Sequence, residues 1–198
     1  MTSTQTNPVA DSAAPAMPLR LQNPDRREGA AGENLVGKRL HRDVGHEAVI
    51  LSDRRLPDTG GKIDHLVVAR SGVWVIDAKC WTGQITYKYA GGLFAPIWKL
   101  TVDGRDCTYL TDDIYGQVIR VAQVLKDPAD VHAAVVFAHG DWGTAATMRF
   151  LLGRPYRHLG VWITWPAALA HIIDKAGPLT PEKIASVGHT LDKALPPR

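Results

Sequence analysis

The chain has 198 residues, 45% hydrophobic and 22% charged, which is enough for one ordinary domain with a buried core. A net charge of +3 is too small to indicate a nucleic-acid partner by itself. Two cysteines without CxxC spacing argue against a disulfide framework or a cysteine zinc site, and no apolar run approaches the roughly 18 residues of a membrane span. With no secretory signal visible, we expect a cytoplasmic protein without a membrane partner.

The chain begins with a polar segment. Residues 1–26 are rich in Ala, Pro, Ser, Thr and Asn and are predicted to form a disordered tail, whereas residues 27–198 are predicted to fold. A helix is predicted over 29–41, with Glu33 on the same face as Val36 and Leu40. A glutamate in a first turn is also favoured by the helix dipole alone, so its position does not assign it a function.

Strands and hairpins dominate the middle of the chain, and strands alternate with helices in the second half. Strands are predicted over 47–51, 62–70, 73–80, 84–89, 93–98, 99–110, 131–138 and 160–164. Helices are predicted from 111 to 126, with Thr111 as the N-cap, from 166 to 176, and from 181 onwards. This pattern predicts an α/β fold with a mixed central β-sheet flanked by helices.

Three charged residues interrupt two apolar strands: Asp64, Asp77 and Lys79. Charges are rare in buried strands unless they are paired or bind a metal. If Ser71 and Gly72 form a two-residue hairpin loop, Asp64 lies opposite Lys79 and diagonal to Asp77, and all three side chains point to one face. A register slip of two residues would keep this cluster, whereas a slip of one would destroy it.

Two interpretations of this cluster compete. In the first, Lys79 neutralises one aspartate in a salt bridge, which leaves a second carboxylate close to the first. In the second, Asp64 and Asp77 hold Mg²⁺ or Mn²⁺, with the backbone oxygen of Ala78 as a further ligand. Such an ion would acidify a bound water, and Lys79 would orient that water or stabilise charge on a phosphate. Geometry alone leaves both interpretations open.

The pattern of Asp64 followed by Asp77-Ala78-Lys79 resembles the D…(D/E)XK signature of restriction-endonuclease-like nucleases. The surrounding segments are more specific and closely resemble the nuclease-related domain (NERD) family of that superfamily: Gly32-Glu33, Ile63-Asp64-His65, 71–79 and 81–85. The resemblance implies a restriction-endonuclease-like fold. It also implies a Mg²⁺-dependent nuclease that hydrolyses phosphodiester bonds, with DNA as the expected substrate.

The resemblance also implies which residues form the site: Glu33, Asp64, Asp77, Lys79 and Gln117. Glu33 would reach the metal or its water from the first helix, and Gln117 would approach from the helix after the hairpins. Two departures from the family pattern are visible. Aspartate stands at position 77, where the family usually has glutamate, and Asp112-Asp113 replaces an Asn-Pro-like helix start. Gln123 is therefore a rival to Gln117.

The sequence is also compatible with other assignments. A catalytically silent nucleic-acid-binding or partner-binding module would carry the same fold, and a homodimer could complete a cleavage groove. His65 alternates to the face opposite Asp64, so it is predicted to be a packed core histidine. Four basic residues near the expected mouth of the site would contact phosphates or form a solvated rim: Arg54, Arg55, Lys62 and Lys88.

Overall fold

The computed structural model of the chain describes residues 26–56, 60–91, 97–125, 131–152 and 155–198. The predicted tail lies outside these residues, apart from Arg26 at the start of the first helix. The predicted strand over 93–98 also lies outside them, up to residue 96.

The described residues form helices and strands in mixed order. The helices are α1 (Arg26–Asp43), α2 (Tyr109–Leu125), α3 (Gly143–Leu151), α4 (Pro166–Ile173) and α5 (Pro181–Ala194). The strands are β1 (Val49–Arg55), β2 (Lys62–Ala69), β3 (Gly72–Tyr89), β4 (Trp98–Val102), β5 (Arg105–Asp106), β6 (Val131–Asp141), β7 (Tyr156–His158) and β8 (Val161–Thr164). None of these helices is both long and apolar enough to cross a membrane.

The strands form one mixed sheet in the order β1-β2-β3-β6-β8-β7. The first three strands are antiparallel neighbours, β3, β6 and β8 run parallel, and β7 closes the edge antiparallel to β8. β4 pairs with the second half of β3, and β5 pairs with β4. The mixed sheet flanked by helices confirms the predicted fold class.

Both faces of the sheet are covered, which explains why its central strands are almost continuously apolar. On β3, Val73 and Val75 pack with α2 and α5, whereas Trp74 and Ile76 pack with α1 and α4. α1 and α2 therefore lie on opposite faces of the same strand. A charged side chain in the middle of β3 is therefore covered by a helix whichever face it points to. The cost of burying its charge must be compensated by partners.

The hairpin between β2 and β3 has a different register from the predicted one. Ala69 pairs with Gly72, so the loop is Arg70-Ser71 and not Ser71-Gly72. Gly72 has a φ of 130°, which L side chains rarely adopt, and this lets the strand begin directly after the loop. The shift equals two residues, so it moves no side chain to the other face.

The segment between β3 and α2 also corrects two predictions. The strands predicted over 73–80 and 84–89 are one strand of 18 residues, with a register shift between Lys79 and Thr82. The strand predicted over 99–110 is two short strands, β4 and β5, which pair as a hairpin through Asp103 and Gly104 and end at Asp106. The Asp106 side chain accepts a hydrogen bond from the amide of Thr108 at 3.0 Å and turns the chain into α2. Thr111 is consequently inside the helix and is not its N-cap.

Two elements were not predicted: α3 and β7. Within α3, Ala146 is the buried residue, while Met148 and Leu151 are 55% and 71% exposed. A helix that buries so little carries no clear periodic signal. The remaining predicted helices and strands are present with shifted ends: α4 ends at Ile173, and β1 extends to Arg55.

Candidate active site

Asp64 and Asp77 lie where β2 and β3 stop pairing. The pairing between the strands runs from Ala69 and Gly72 to His65 and Ile76. One residue further along this register Asp64 faces Asp77, and Oδ2 of Asp64 accepts a hydrogen bond from the amide of Ala78 at 2.9 Å. The two aspartates are only 7% and 8% exposed. The directly opposed pair replaces the diagonal arrangement predicted from the sequence and brings the carboxylates closer.

Lys79 forms the predicted salt bridge with Asp77. Its Nζ lies 2.9 Å from Oδ1 and 2.7 Å from Oδ2 of that carboxylate, and the lysine side chain is 17% exposed. Burial lowers the pKa of Lys79, but the nearby Asp77, Asp64 and Tyr109 together raise it by more, so the net shift of the pKa is upward. Lys79 is therefore an ammonium at neutral pH.

The pairing with Lys79 does not fully compensate Asp77. Burial raises its pKa to about 6, the nearby Asp64 carboxylate raises it too, and Lys79 acts in the opposite direction. Two carboxylates that share a buried site hold a proton or a cation between them. The negative charge of Asp77 is therefore only partly compensated by Lys79.

Glu33 reaches the cluster through a second lysine. Nζ of Lys62 lies 2.6 Å from Oε1 of Glu33 and 3.1 Å from Oδ1 of Asp64. Burial lowers the pKa of Lys62, but its bonds to Glu33 and Asp64 raise it by more. The sequence placed Lys62 at the mouth of the site as a phosphate contact or rim residue, whereas the structure places its ammonium inside the acidic cluster.

Helix α1 approaches the sheet closely enough to bring Glu33 to this point. A Cβ at Gly32 would lie 2.5 Å from the Cβ of Cys80, and one at Gly37 would lie 3.0 Å from Cε1 of His65. Glycines at both positions therefore allow the close approach of helix and sheet. In the sequence, the signal for this packing is that both glycines stand on the helix face that also carries Val36 and Leu40.

His65 attaches α1 to the sheet, as a core histidine and not a ligand. Its Nε2 lies 3.0 Å from the backbone oxygen of Glu33, and its Nδ1 lies 2.9 Å from Oγ of Ser52. Burial lowers the pKa of the imidazole, so the ring is neutral at neutral pH. The prediction of a packed histidine is confirmed, but its contact with the helix that carries Glu33 was not foreseen.

Gln117 lies on the buried side of α2, between Ile114 and Val121. Its Oε1 is buried and has no hydrogen-bond partner among the described residues. In that part of the chain no hydrogen bond joins it to Asp77 or Lys79. The rival residue, Gln123, is exposed.

The predicted basic rim separates into two groups. Arg54 is buried in β1, where its guanidinium donates to Asp192 of α5 at 2.6 Å, so it is a structural residue and not a phosphate contact. Arg55 and Lys88 are exposed. A cleft of about 660 Å³ opens beside Glu33 and Asp64, and basic residues of α1 contribute to its wall: Lys38, His41 and Arg42.

A hard divalent cation requires oxygen donors, and carboxylates are the most common of these in proteins. Among the described residues, no group of three or more His, Cys, Asp or Glu side chains is placed so that it could hold a metal ion. Asp64 and Asp77 nevertheless offer adjacent carboxylates, and Mg²⁺ is commonly held by one or two carboxylates together with waters and substrate phosphates. The residues present therefore fit a hard divalent cation. At Ala78, the contact with the cluster is made by the amide nitrogen.

Two buried carboxylates and a lysine on adjacent strands of a mixed sheet, with helices on both faces, are consistent with the PD-(D/E)XK class of α/β proteins. The family model described as the nuclease-related domain matches residues 28–138, more than half of the chain, so the protein belongs to this family. The matched segment contains all the predicted site residues. No curated protein and no solved structure matches the chain.

Proposed function

We propose that this protein is a divalent-metal-dependent nuclease that hydrolyses phosphodiester bonds, with DNA as substrate and Mg²⁺ or Mn²⁺ as the metal. The observation that carries the proposal is the buried pair Asp64 and Asp77 with Lys79 bonded to Asp77. A buried acidic pair stabilises a fold poorly, because its desolvation and mutual repulsion cost free energy. Such a pair is expected where a cation is part of the function. A cytoplasmic location is part of the same proposal.

Asp64 and Asp77 would hold the metal, with Glu33 from α1 and the carbonyl oxygen of Ala78 as further donors. A bound Mg²⁺ would supply an acidified water and positive charge at the phosphate. Gln117 would complete the polar lining from α2. Its buried and unpartnered Oε1 supports this role, because a buried oxygen without a partner is costly unless a ligand or water satisfies it.

Lys79 would act as a charge and a hydrogen-bond donor, and not as a general base. Its raised pKa keeps the ammonium protonated, so it has no lone pair with which to accept a proton from water. It can donate to an attacking water or to a phosphate oxygen. In a largely buried position such a donor stabilises charge that develops in the transition state.

Supercoiled, linear and single-stranded DNA, with an RNA of matched sequence, test the proposal in the presence of Mg²⁺ or Mn²⁺. Cleavage is expected to require the metal and to disappear in Asp64→Ala and Lys79→Ala, with circular dichroism unchanged. Lys193→Ala removes the same charge from an exposed position of α5, to which no role in the site is assigned, and should cleave like the wild type. Unchanged cleavage by both site variants would reject the mechanism, and cleavage of RNA alone would reject DNA as the substrate.

A second candidate is a binding module of the same fold without turnover. One observation favours it: each aspartate forms an ion pair with a lysine of the protein itself, Asp64 with Lys62 and Asp77 with Lys79. Titration calorimetry with Mn²⁺ and a short DNA duplex separates the two. Metal binding that vanishes in Asp77→Ala supports the nuclease, whereas DNA binding without metal binding supports the module. Sedimentation over a range of concentrations tests the homodimer.

A further inference from the structure

Lys62 holds two acidic side chains that come from different elements. Its ammonium lies 2.6 Å from Oε1 of Glu33 on α1 and 3.1 Å from Oδ1 of Asp64 on its own strand. Both distances are those of close ion pairs. The ammonium is therefore at the place where the helix-borne and strand-borne carboxylates meet.

The four carboxylate oxygens of the aspartate pair all have partners. Oδ2 of Asp64 accepts from the amide of Ala78, and both oxygens of Asp77 contact Lys79. The remaining oxygen, Oδ1 of Asp64, contacts Lys62. A cation that enters this cluster meets Lys62 at the one Asp64 oxygen that the backbone does not bind.

Lys62 and Lys79 differ in how easily their ammonium groups can move away from the carboxylates. The side chain of Lys79 is 17% exposed, whereas that of Lys62 is 31% exposed and begins at the first residue of β2. A lysine with a partly exposed stem can move its ammonium into water at little cost. Lys62 is thus the more easily displaced partner of the acidic cluster.

We infer that Lys62 is the counter-cation of the metal-free site and competes with the divalent metal for Glu33 and Asp64. This inference rests on the proposed metal-dependent function. Without metal, the ammonium limits the repulsion between the carboxylates of α1 and β2. When the metal binds, the ammonium leaves both carboxylates, and the affinity for metal is lowered by the free energy of these ion pairs.

Calorimetric titration of Mn²⁺ into the metal-free protein tests the inference without any activity measurement. Lys62→Met keeps the aliphatic stem and removes the charge, so Mn²⁺ should bind about tenfold more tightly, which corresponds to two partly exposed ion pairs. Lys88→Met is the matched control, because it removes an exposed lysine of β3, and its affinity should equal that of the wild type. Lys62→Arg, which keeps the charge, should not show the gain.

Thermal unfolding in EDTA supplies a second measurement. Lys62→Met should unfold at a lower temperature than the wild type without metal, and saturating Mn²⁺ should reduce the difference. Wild-type Mn²⁺ binding with equal or weaker binding by Lys62→Met would overturn the inference and leave the nuclease proposal standing. Absence of Mn²⁺ binding in both proteins would overturn the inference and the metal-dependent function together.

Discussion

Nε2 of His65 donates a hydrogen bond to the backbone carbonyl oxygen of Glu33 at 3.0 Å. A carbonyl oxygen can only accept, so the proton is on Nε2, and Nδ1 accepts from the hydroxyl of Ser52. The neutral imidazole, which is itself buried, therefore connects β1, β2 and α1 in one chain of hydrogen bonds. Its consequence for the site is indirect, because it fixes the turn of α1 that carries the Glu33 carboxylate.

Replacement of His65 should therefore affect both stability and the site. His65→Phe would leave the Glu33 carbonyl and the Ser52 hydroxyl without this partner, at a cost of about 2 kcal/mol in the free energy of unfolding. Chemical denaturation measures this loss, and His46→Phe at an exposed position is the control. If both variants are as stable as the wild type, the imidazole does not hold α1 to the sheet.

Replacement of Gly29 and of Gly32 by alanine should change the stability of the protein in opposite directions. Gly32→Ala would place a Cβ 2.5 Å from that of Cys80 and should destabilise the protein by about 1–3 kcal/mol, because helix and sheet must move apart. A Cβ at Gly29 meets nothing within 4 Å, so Gly29→Ala should stabilise the helix by up to about 1 kcal/mol. Thermal melts of the two variants side by side measure the contrast. Equal effects would contradict the close packing at Gly32.

The raised pKa of Asp77 predicts a pH dependence of stability in EDTA. The folded state holds the proton up to about pH 6, whereas the unfolded aspartate releases it near 3.8. Since the folded state binds more protons in this window, the free energy of unfolding should fall as the pH rises from about 4 to about 6. Relative to Asp77→Asn, the wild type should lose up to about 3 kcal/mol. Urea denaturation at stepped pH measures this difference, and a constant difference would contradict the shift.

Replacement of Gln117 should lower activity without lowering stability. Gln117→Leu removes a buried oxygen that has no partner in the described part of the chain, so stability should be unchanged or higher by up to about 1 kcal/mol. Under the proposed function, cleavage should fall by at least about tenfold. The control is Gln123→Leu, which alters an exposed position of the same helix and should leave cleavage unchanged. Full cleavage by Gln117→Leu would remove this residue from the site.

Several features of the site were predictable from residue patterns. The alternation of side chains along a strand has a period of two, so Asp77 and Lys79 had to share a face whatever their neighbours. The charges in apolar strands indicated a cluster because buried charges need partners. The mixed sheet was predictable because hairpin turns and alternating helices leave few other arrangements. α3 was not, since it buries little and has little periodic signal.

The sequence by itself determined the fold class, the family and the residues of the acidic cluster, because these depend on periodicity and on the order of motifs along the chain. Tertiary structure decided the register that sets Asp64 opposite Asp77 and the role of His65 beneath Glu33. It also decided that the ammonium of Lys62, and not that of Arg54, enters the cluster. The physical reason is that ion pairs and hydrogen bonds between distant segments depend on side-chain distances of a few ångström, which local patterns do not specify.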